Sequence, residues 1–544
     1  MLLYAFPFYS ISQNSVPGEV HGNFQTDLQY YNSDTIIGAP PVDEKALMRS
    51  FANLNYTIGK FSAGTRYESY LNTLQGFDPS YNGNAFPYRY ATYNSEGLEI
   101  TVGNYYEQFG NGLAFRSYEE WGLGYDNVMD GIRLKYSPYK GIYLKGIVGK
   151  QRSFMDYGPG IVRGADVEVV VNELFDSLNN ASTMLILGGS FVSKYQADLD
   201  PLYKLPENVG TGAGRINIIS NKLNLMAEYA YKINDPSLIN NYIYKSGDAL
   251  LLSASYSTKG FGLFFSAKRV DNMDFRSDRT TGGSALSINY LPAITKVHTY
   301  SMSAYYPYAT QPMGEFGLQG ELIYKFKKGS VLGGKYGTGI SINFSSVSDV
   351  LRTDAEGDTL GSKKYGDEGT LGYNSDPFAI GDEKFFSDLN VEITKKFSKK
   401  VKAIFSYMNL AYNKDAVQGL TGYGTIYADI GIVDITYKIK PKNTIRIEMQ
   451  SLTTRQDDGS WIMGLAEYTL APHWFVAAFD EYNYDNKKEE KRIHYYTAQV
   501  GYKNKGNTFT IGYGRQRAGI FCVGGVCRNV PASNGITLAI TSSF

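Results

Sequence analysis

The residues of this chain that could do covalent chemistry are few and lie far apart in the sequence. The two cysteines, Cys522 and Cys527, stand close together in a glycine-rich stretch, and in an exported protein this spacing predicts a disulfide, with two free thiols as the alternative. A metal site would need two more ligands, and neither His nor Cys lies nearby. The histidines are dispersed, and the sequence contains no HExxH motif or nucleophile elbow: they are His21, His298, His473 and His494. The sequence therefore predicts no enzyme, no metal site and no cofactor.

Residues 105–127 combine charged side chains with a high density of aromatic ones. The charged residues are Glu107, Arg116, Glu119 and Glu120. If the chain encloses a lumen, these residues could form an inward-folded constriction, in which the aromatic rings pack on the wall and the charges select the solute. The alternative is an extracellular hairpin extension that its own aromatic pairs stabilise. Both interpretations stay open at this stage.

The composition indicates which kind of element positions these residues. The chain of 544 residues has 47 Tyr and 58 Gly, 15% aromatic residues and a mean hydropathy of -0.29. It has no uninterrupted apolar run of about 18 residues, so it offers no transmembrane helix. Abundant Tyr, Gly, Thr and Asn fit aromatic girdles, a polar lumen and tight turns, which predicts one large transmembrane β-barrel. A net charge of +0 and a pI near 6.9 make nucleic acid an unsuitable partner.

The hairpin pattern predicts the size and orientation of this all-β, antiparallel barrel. Alternating segments give about 26 strands, and 24 is also possible because strand boundaries are inexact. Two of these predicted strands are 283–291 and 296–307. Short turns alternate with long connections, which include 32–47, 105–127, 196–212, 234–245, 271–282 and 346–384. Because outer-membrane barrels have short periplasmic turns and long extracellular loops, both chain ends are expected in the periplasm.

The two ends of the sequence predict export and insertion. Residues 1–13 resemble the remnant of a signal peptide without its basic region, so that the barrel comprises 14–544; a frayed apolar first strand is the alternative. The last strand ends on an aromatic residue, which resembles the C-terminal signal that the barrel-insertion machinery recognises. Leu538, Ile540 and Phe544 are the residues expected to carry it.

Three arginines near the last predicted hairpin could contact lipid. Period 2 places Arg515 and Arg517 on the same face as the outward residue Tyr513, above the apolar belt. At that height Arg515, Arg517 and Arg528 could pair with lipopolysaccharide phosphates or with a neighbouring protein. The alternative is that they turn inward after a bulge and line the mouth of the pore.

Four segments of the chain resemble an uncharacterised family of Bacteroidota outer-membrane proteins. They are 103–112, 268–277, 306–311 and 517–528, and the last is the most specific. The resemblance implies an outer-membrane location and a barrel fold, and it carries no activity onto any residue.

Two functions are consistent with these observations. A barrel of this size encloses a wide lumen that something must fill. The first function is a channel for small solutes that its own loops narrow. The second is an accessory subunit of an outer-membrane secretion or envelope-biogenesis complex, whose lumen or wall a partner protein occupies. Outer-membrane lipid, lipopolysaccharide and the insertion machinery are the expected general partners.

Overall fold

A computed structural model describes residues 18–355, 366–523 and 526–544 of the chain. The side chains of 354, 521–523 and 526–528 are not part of this description. The predicted signal remnant, 1–13, lies outside the described residues.

The described chain forms one closed antiparallel barrel of 24 strands, which confirms the predicted fold class. Each strand pairs with its neighbours in the sequence, and the first strand pairs with the last, so the sheet has no free edge. The strands are β1 (Glu19–Asn32), β2 (Ala46–Ile58), β3 (Phe61–Leu71), β4 (Gly83–Ser95), β5 (Leu98–Tyr105), β6 (Met129–Tyr139), β7 (Ile142–Ser153), β8 (Asp156–Val170), β9 (Thr183–Tyr195), β10 (Asn208–Ser220), β11 (Leu223–Lys232), β12 (Gly247–Thr258), β13 (Phe261–Asp271), β14 (Gly314–Phe326), β15 (Thr338–Asp354), β16 (Tyr373–Lys396), β17 (Val401–Asn413), β18 (Thr425–Lys440), β19 (Asn443–Thr453), β20 (Trp461–Leu470), β21 (Trp474–Asn483), β22 (His494–Asn504), β23 (Asn507–Gln516) and β24 (Ser533–Ser543).

The strand count is 24 rather than 26 because two predicted strands are not part of the wall. Segments 283–291 and 296–307 both belong to the connection between β13 and β14, where the described structure has a 3-10 turn at Met302–Ala304. Their apolar residues pack against the inside of the barrel. Alternating apolar residues predict that one face of a segment is apolar. They do not show whether lipid or the inner wall of the barrel covers that face.

The long connection predicted at 346–384 is also different. β15 and β16 extend through most of it as a paired hairpin that reaches Asp354 and Tyr373. Residues 356–365 of this connection lie outside the described part. The described part of this predicted long connection is therefore largely strand.

The wall has an apolar outer face and a mainly polar inner face. In β19, Ile447 and Met449 are 47% and 54% exposed, whereas Glu448 and Gln450 are 4% and 2% exposed. Successive residues of a strand point to opposite faces, so the exposed apolar side chains lie outside and the buried polar ones lie inside. This arrangement, with the closed sheet, is that of an outer-membrane β-barrel. No helix among the described residues is long and apolar enough to cross a membrane.

The connections differ at the two ends of the barrel. We call the end with two-residue turns such as Gly59–Lys60 and Glu96–Gly97 the turn end, and the opposite end the loop end. β1 starts and β24 finishes at the turn end, as an even number of antiparallel strands requires. Four turn-end connections are longer than two residues: 171–182, with the short helix α1 (Val171–Leu174), 327–337, 397–400 and 471–473. Two loop-end connections, 106–128 and 272–313, enter the lumen.

Candidate functional site in the barrel lumen

Residues 272–313, the long luminal segment, cross the inside of the barrel from wall to wall. Its polar atoms bond in sequence order to inward side chains of β16, β18, β19 and β21. The bonds are Lys296 Nζ to Asn390 Oδ1 at 3.2 Å, His298 Nε2 with Asp388 Oδ2 at 3.0 Å, Tyr300 OH to Asp434 Oδ2 at 3.3 Å, Met302 N to Gln450 Oε1 at 3.0 Å and Tyr305 OH to Glu481 Oε2 at 2.9 Å. A segment with this register cannot lie outside the barrel.

The same segment buries apolar side chains against an apolar part of the inner wall. Met302, Tyr306 and Tyr308 pack on inward residues of β17 and β18, among them Met408, Leu410, Tyr412, Ile426 and Ile430. The ring centroids of Tyr306 and Tyr412 are 5.5 Å apart, and those of Tyr308 and Phe386 are 5.2 Å apart. Aromatic contacts of this kind fix the segment in place beyond its hydrogen bonds.

The base of the long luminal segment is held by a buried ion pair. Lys268 of β13 and Glu315 of β14 lie 2.7 Å apart with fully buried side chains. The Lys268 ammonium also donates to the Thr310 hydroxyl at 2.7 Å and to the Pro292 carbonyl. The pattern of charged residues in the sequence did not predict this ion pair. Lys268 does lie in 268–277, one of the segments that resemble the outer-membrane family.

Residues 106–128, the short luminal segment, also fold into the barrel. Phe109, Leu113 and Phe115 are fully buried, and Glu107 Oε1 accepts a 2.9 Å hydrogen bond from Lys145 of β7. Burial alone would raise the pKa of Glu107, but Lys145 and the Gln108 amide bring it below its ordinary value of 4.5. The geometry corresponds to the inward interpretation of 105–127. A selective role for its charges stays a prediction.

A cluster of five charged side chains joins the short luminal segment to β3 and β7. The Arg66 guanidinium donates to Glu119 Oε2 and Asp126 Oδ2, both at 2.8 Å, and lies 2.7 Å from Glu68. Arg152 donates to Glu68 and Asp126 at 2.7 and 2.8 Å. Two guanidinium groups thus face three carboxylates. Burial, together with the neighbouring Asp126, raises the pKa of Glu119 to about 7, although Arg66 opposes the shift.

The other two predicted constriction residues lie where the luminal segments meet or turn. The Arg116 guanidinium lies between two rings, 4.3 Å from the Tyr118 centroid and 4.1 Å from that of Tyr290. Its backbone amide donates to the Ile288 carbonyl at 2.9 Å, which joins the two segments. Glu120 is half-buried in a two-residue strand opposite Tyr125. The structure thus brings Glu107, Arg116 and Glu119 into contact with other parts of the lumen.

Arg517 lies inside the mouth of the barrel and not on its outer face. Its Cζ is 3.6 Å from the Tyr305 ring centroid, and its Nε is 3.9 Å from Glu481 Oε2. The expectation that period 2 would keep it beside Tyr513 is wrong, because the ladder of β23 ends at Gln516 and no longer fixes the side-chain direction. Arg515 pairs with Asp34 at 2.7 Å, so it too has a partner within the chain. Lipopolysaccharide contact is untested.

The remaining predicted residues near this mouth are only partly described. The backbones of Cys522 and Cys527 face one another in the hairpin Gly519–Val523 and Val526–Val530. Their side chains, and that of Arg528, lie outside the described residues, so the disulfide stays a prediction. Leu538 and Ile540 pair with Ile511 and Phe509 on the outer face. Phe544 exchanges backbone hydrogen bonds with Gly22, and its recognition during insertion is untested.

Two neighbouring cavities lie between the long luminal segment and the wall formed by β20 to β24 and β1. The outer cavity, of about 660 Å³, opens near loop 33–45 and is lined by Trp461 and Asn483. The inner cavity, of about 360 Å³, is lined by Ser301 and Glu481. Tyr495 and Arg517 line both cavities, so the two adjoin at these side chains. In the described part of the chain, no group of three His, Cys, Asp or Glu side chains could hold a metal ion.

The chain matches DUF6029, described as a family of unknown function, over residues 1–544. No curated protein matches it. A ferric enterobactin receptor (PfeA) mutant from Pseudomonas aeruginosa is 10% identical with a TM-score of 0.42, covering 97% of this chain and 80% of that one. OccK5 (OpdH) from Pseudomonas aeruginosa is 9% identical with a TM-score of 0.34, covering 97% and 98%. The P pilus usher (PapC) translocation pore is 8% identical with a TM-score of 0.32, covering 96% and 99%.

Proposed function

Since the chain belongs to the DUF6029 family, whose function is unknown, we propose a role from the geometry of its lumen: it is an outer-membrane channel for small solutes that its own luminal segments constrict. The observation that carries this proposal is the pair of adjoining cavities along the inner wall. The long luminal segment fills the side of the lumen lined by β16 to β19, and the cavities follow the adjoining part of the wall, β20 to β24 and β1, from the loop end inward.

The orientation follows from the rule for outer-membrane barrels. The loop end faces the outside and the turn end faces the periplasm, because short turns are periplasmic in such barrels. Solute would then meet the outer cavity first. It would pass Arg517 and Tyr305 before it reached the inner cavity.

Planar-bilayer recording of the purified chain tests the channel. We expect discrete conductance steps from protein that shows the heat-modifiable migration of a folded barrel, and none from the heated sample. Substituting Arg517→Gln should increase the conductance, because this side chain narrows the junction of the cavities. Arg163→Gln is the matched control, since Arg163 is exposed and contacts Asn208 at the opposite side of the barrel. A folded wild-type protein without conductance would refute the channel.

A second function, as an accessory subunit, is favoured by an exposed apolar patch at the turn end. Val331 is 99% exposed, Leu332 is 62% exposed and Phe397 is 54% exposed, on two neighbouring connections that also carry lysines. Exposed apolar residues grouped in this way are typical of contact surfaces. Mild-detergent purification of the wild type and of a Val331→Asp, Leu332→Asp variant tests this candidate. A partner lost only from the variant would support it.

A further inference from the structure

The two cavities carry the chemistry of a site for a neutral sugar. An aromatic strip runs along them: Trp461 packs against Tyr305 at 5.4 Å and against Tyr495 at 6.0 Å between ring centroids. Tyr305 lines the inner cavity, Trp461 the outer one and Tyr495 both. Aromatic faces are apolar and slightly electronegative, which suits the C–H faces of a pyranose ring.

Two buried hydrogen-bond acceptors in these cavities have no partner among the described residues. The first is Oδ1 of Asn483, a side chain only 1% exposed, whose amide nitrogen donates to the Asp458 carbonyl at 2.9 Å. The second is Oγ of Ser301, in the inner cavity. A buried acceptor without a donor is costly, and a hydroxyl-bearing ligand would supply donors at both places.

The charges of the lining balance. Three acidic residues, Asp458, Glu481 and Glu490, stand with three basic ones, Lys491, Arg515 and Arg517. Arg515 is already paired with Asp34, and Arg517 lies near Glu481. A lining of this kind offers no net attraction for an anion or a cation, whereas its polar groups can serve a polyhydroxylated neutral molecule.

We infer that the outer and inner cavities bind a neutral mono- or disaccharide, stacked on Tyr495 and Trp461, with one hydroxyl donating to Asn483 Oδ1 and, for the longer ligand, another to Ser301 Oγ. The volumes, about 660 and 360 Å³, fall in the range of about 300–1,000 Å³ that small-molecule sites occupy. The inference deepens the proposed channel function by naming its solute class.

Tryptophan fluorescence of the whole, folded barrel tests the site without any need for conductance. The chain has three tryptophans, so a Trp121→Phe, Trp474→Phe protein leaves Trp461 as the only reporter. Titration with maltose and with glucose should change its emission saturably, with midpoints in the millimolar range. Glucuronate, as the charged counterpart of glucose, should bind at least tenfold more weakly.

Asn483→Leu in this background should raise both midpoints at least tenfold. Ser301→Ala, a smaller change, should raise the maltose midpoint several-fold and leave the glucose midpoint within twofold, and it keeps the test valid if Asn483→Leu does not fold. Asn217→Leu is the control, because Asn217 faces the lumen from β10 and also has a buried, unpartnered Oδ1. It should leave both midpoints unchanged.

The outcomes separate the site from the channel. No saturable response to either sugar, equal binding of glucuronate, or unchanged midpoints in both Asn483→Leu and Ser301→Ala would overturn the sugar site. Sugar binding by a protein that is silent in bilayers would support the site and refute the channel. Conductance without sugar binding would do the reverse.

Discussion

Lowering the pH from 8 to 5 should hold the short luminal segment more tightly against the wall. Glu119 bonds to Arg66, and Arg66 also pairs with Asp126. Arg152, the second guanidinium of this cluster, pairs with Asp126 and with a third carboxylate, that of Glu68. Because the carboxylates outnumber the cations in a buried place, a proton on Glu119 removes an unbalanced charge. Burial and Asp126 accordingly raise the pKa of Glu119 to about 7.

The sign and size of the effect follow from linkage. A carboxyl whose pKa is about 7 in the seated segment and 4.5 when detached binds more protons when seated, so its contribution is complete below pH 4.5 and is lost as the pH rises through 7. Between pH 8 and pH 5 the difference amounts to about 2–3 kcal/mol, on the order of a 100-fold change in the opening equilibrium of the segment. The Glu119 side chain is only 15% exposed, so solvent screening reduces this value little.

Hydrogen exchange of peptides that cover 106–128 measures this equilibrium. After correction for the intrinsic pH dependence of exchange, protection should be about 50- to 100-fold higher at pH 5 than at pH 8. Glu119→Gln mimics the protonated side chain, so its protection should vary little between these pH values. Glu120→Gln is the matched control and should keep the wild-type trend, since adjacent residues of a strand point to opposite faces. Wild-type protection that is equal at both pH values, or higher at pH 8, would refute the reasoning.

Three further predictions test the luminal segments and the wall. Deleting Gln108–Gly124 should raise single-channel conductance several-fold in planar bilayers, and an unchanged conductance would show that this segment does not constrict the path. Glu315→Gln should destabilise the base of the long luminal segment by about 3–5 kcal/mol, because it leaves Lys268 buried without its counter-charge; hydrogen exchange should show the loss, and adding Lys268→Met should recover part of it. Leu538→Lys should cost roughly 2–4 kcal/mol on the lipid face and lower the amount of assembled barrel, whereas Thr537→Lys, which points inward, should assemble normally; equal abundance of the two would contradict the assigned faces.

The wall could be predicted from the sequence because each strand carries its own signal. Alternating faces such as Ile445, Ile447 and Met449 against Arg446 and Glu448 depend only on period 2. The alternation of short turns and long connections then fixed an even strand number. The excess of two strands arose in 272–313, where tyrosines and other apolar residues recur as they do in a strand. These residues pack against the wall from inside, and one sequence cannot separate the two environments.

The candidate site was less predictable because its contacts join distant parts of the chain. The aromatic density of 105–127 indicated that these residues pack against something, and Phe109 and Phe115 are indeed fully buried. Nothing local could show that Glu119 meets Arg66, because strands β4 and β5 and their connections separate them in the sequence. Period 2 predicts the direction of a side chain only within the ladder of paired strands. Arg517 lies just beyond the end of β23, where its contact with Tyr305 sets the direction of the side chain.

The position of the cavities follows from how the wall and the luminal segments satisfy one another. Inward charges on the wall are costly inside the barrel unless a counter-charge or hydrogen bond meets them. Lys145 receives such a partner from the short luminal segment, and Asp434 receives one from the long luminal segment. Where the wall is apolar, Met302 of the long luminal segment packs against it. Between β20 and β1 the wall offers instead aromatic rings and acceptors such as Asn483 Oδ1 that the segments leave unpartnered. A solute that brings its own hydroxyl donors would complete this part of the wall, and therefore we expect the transport path along it.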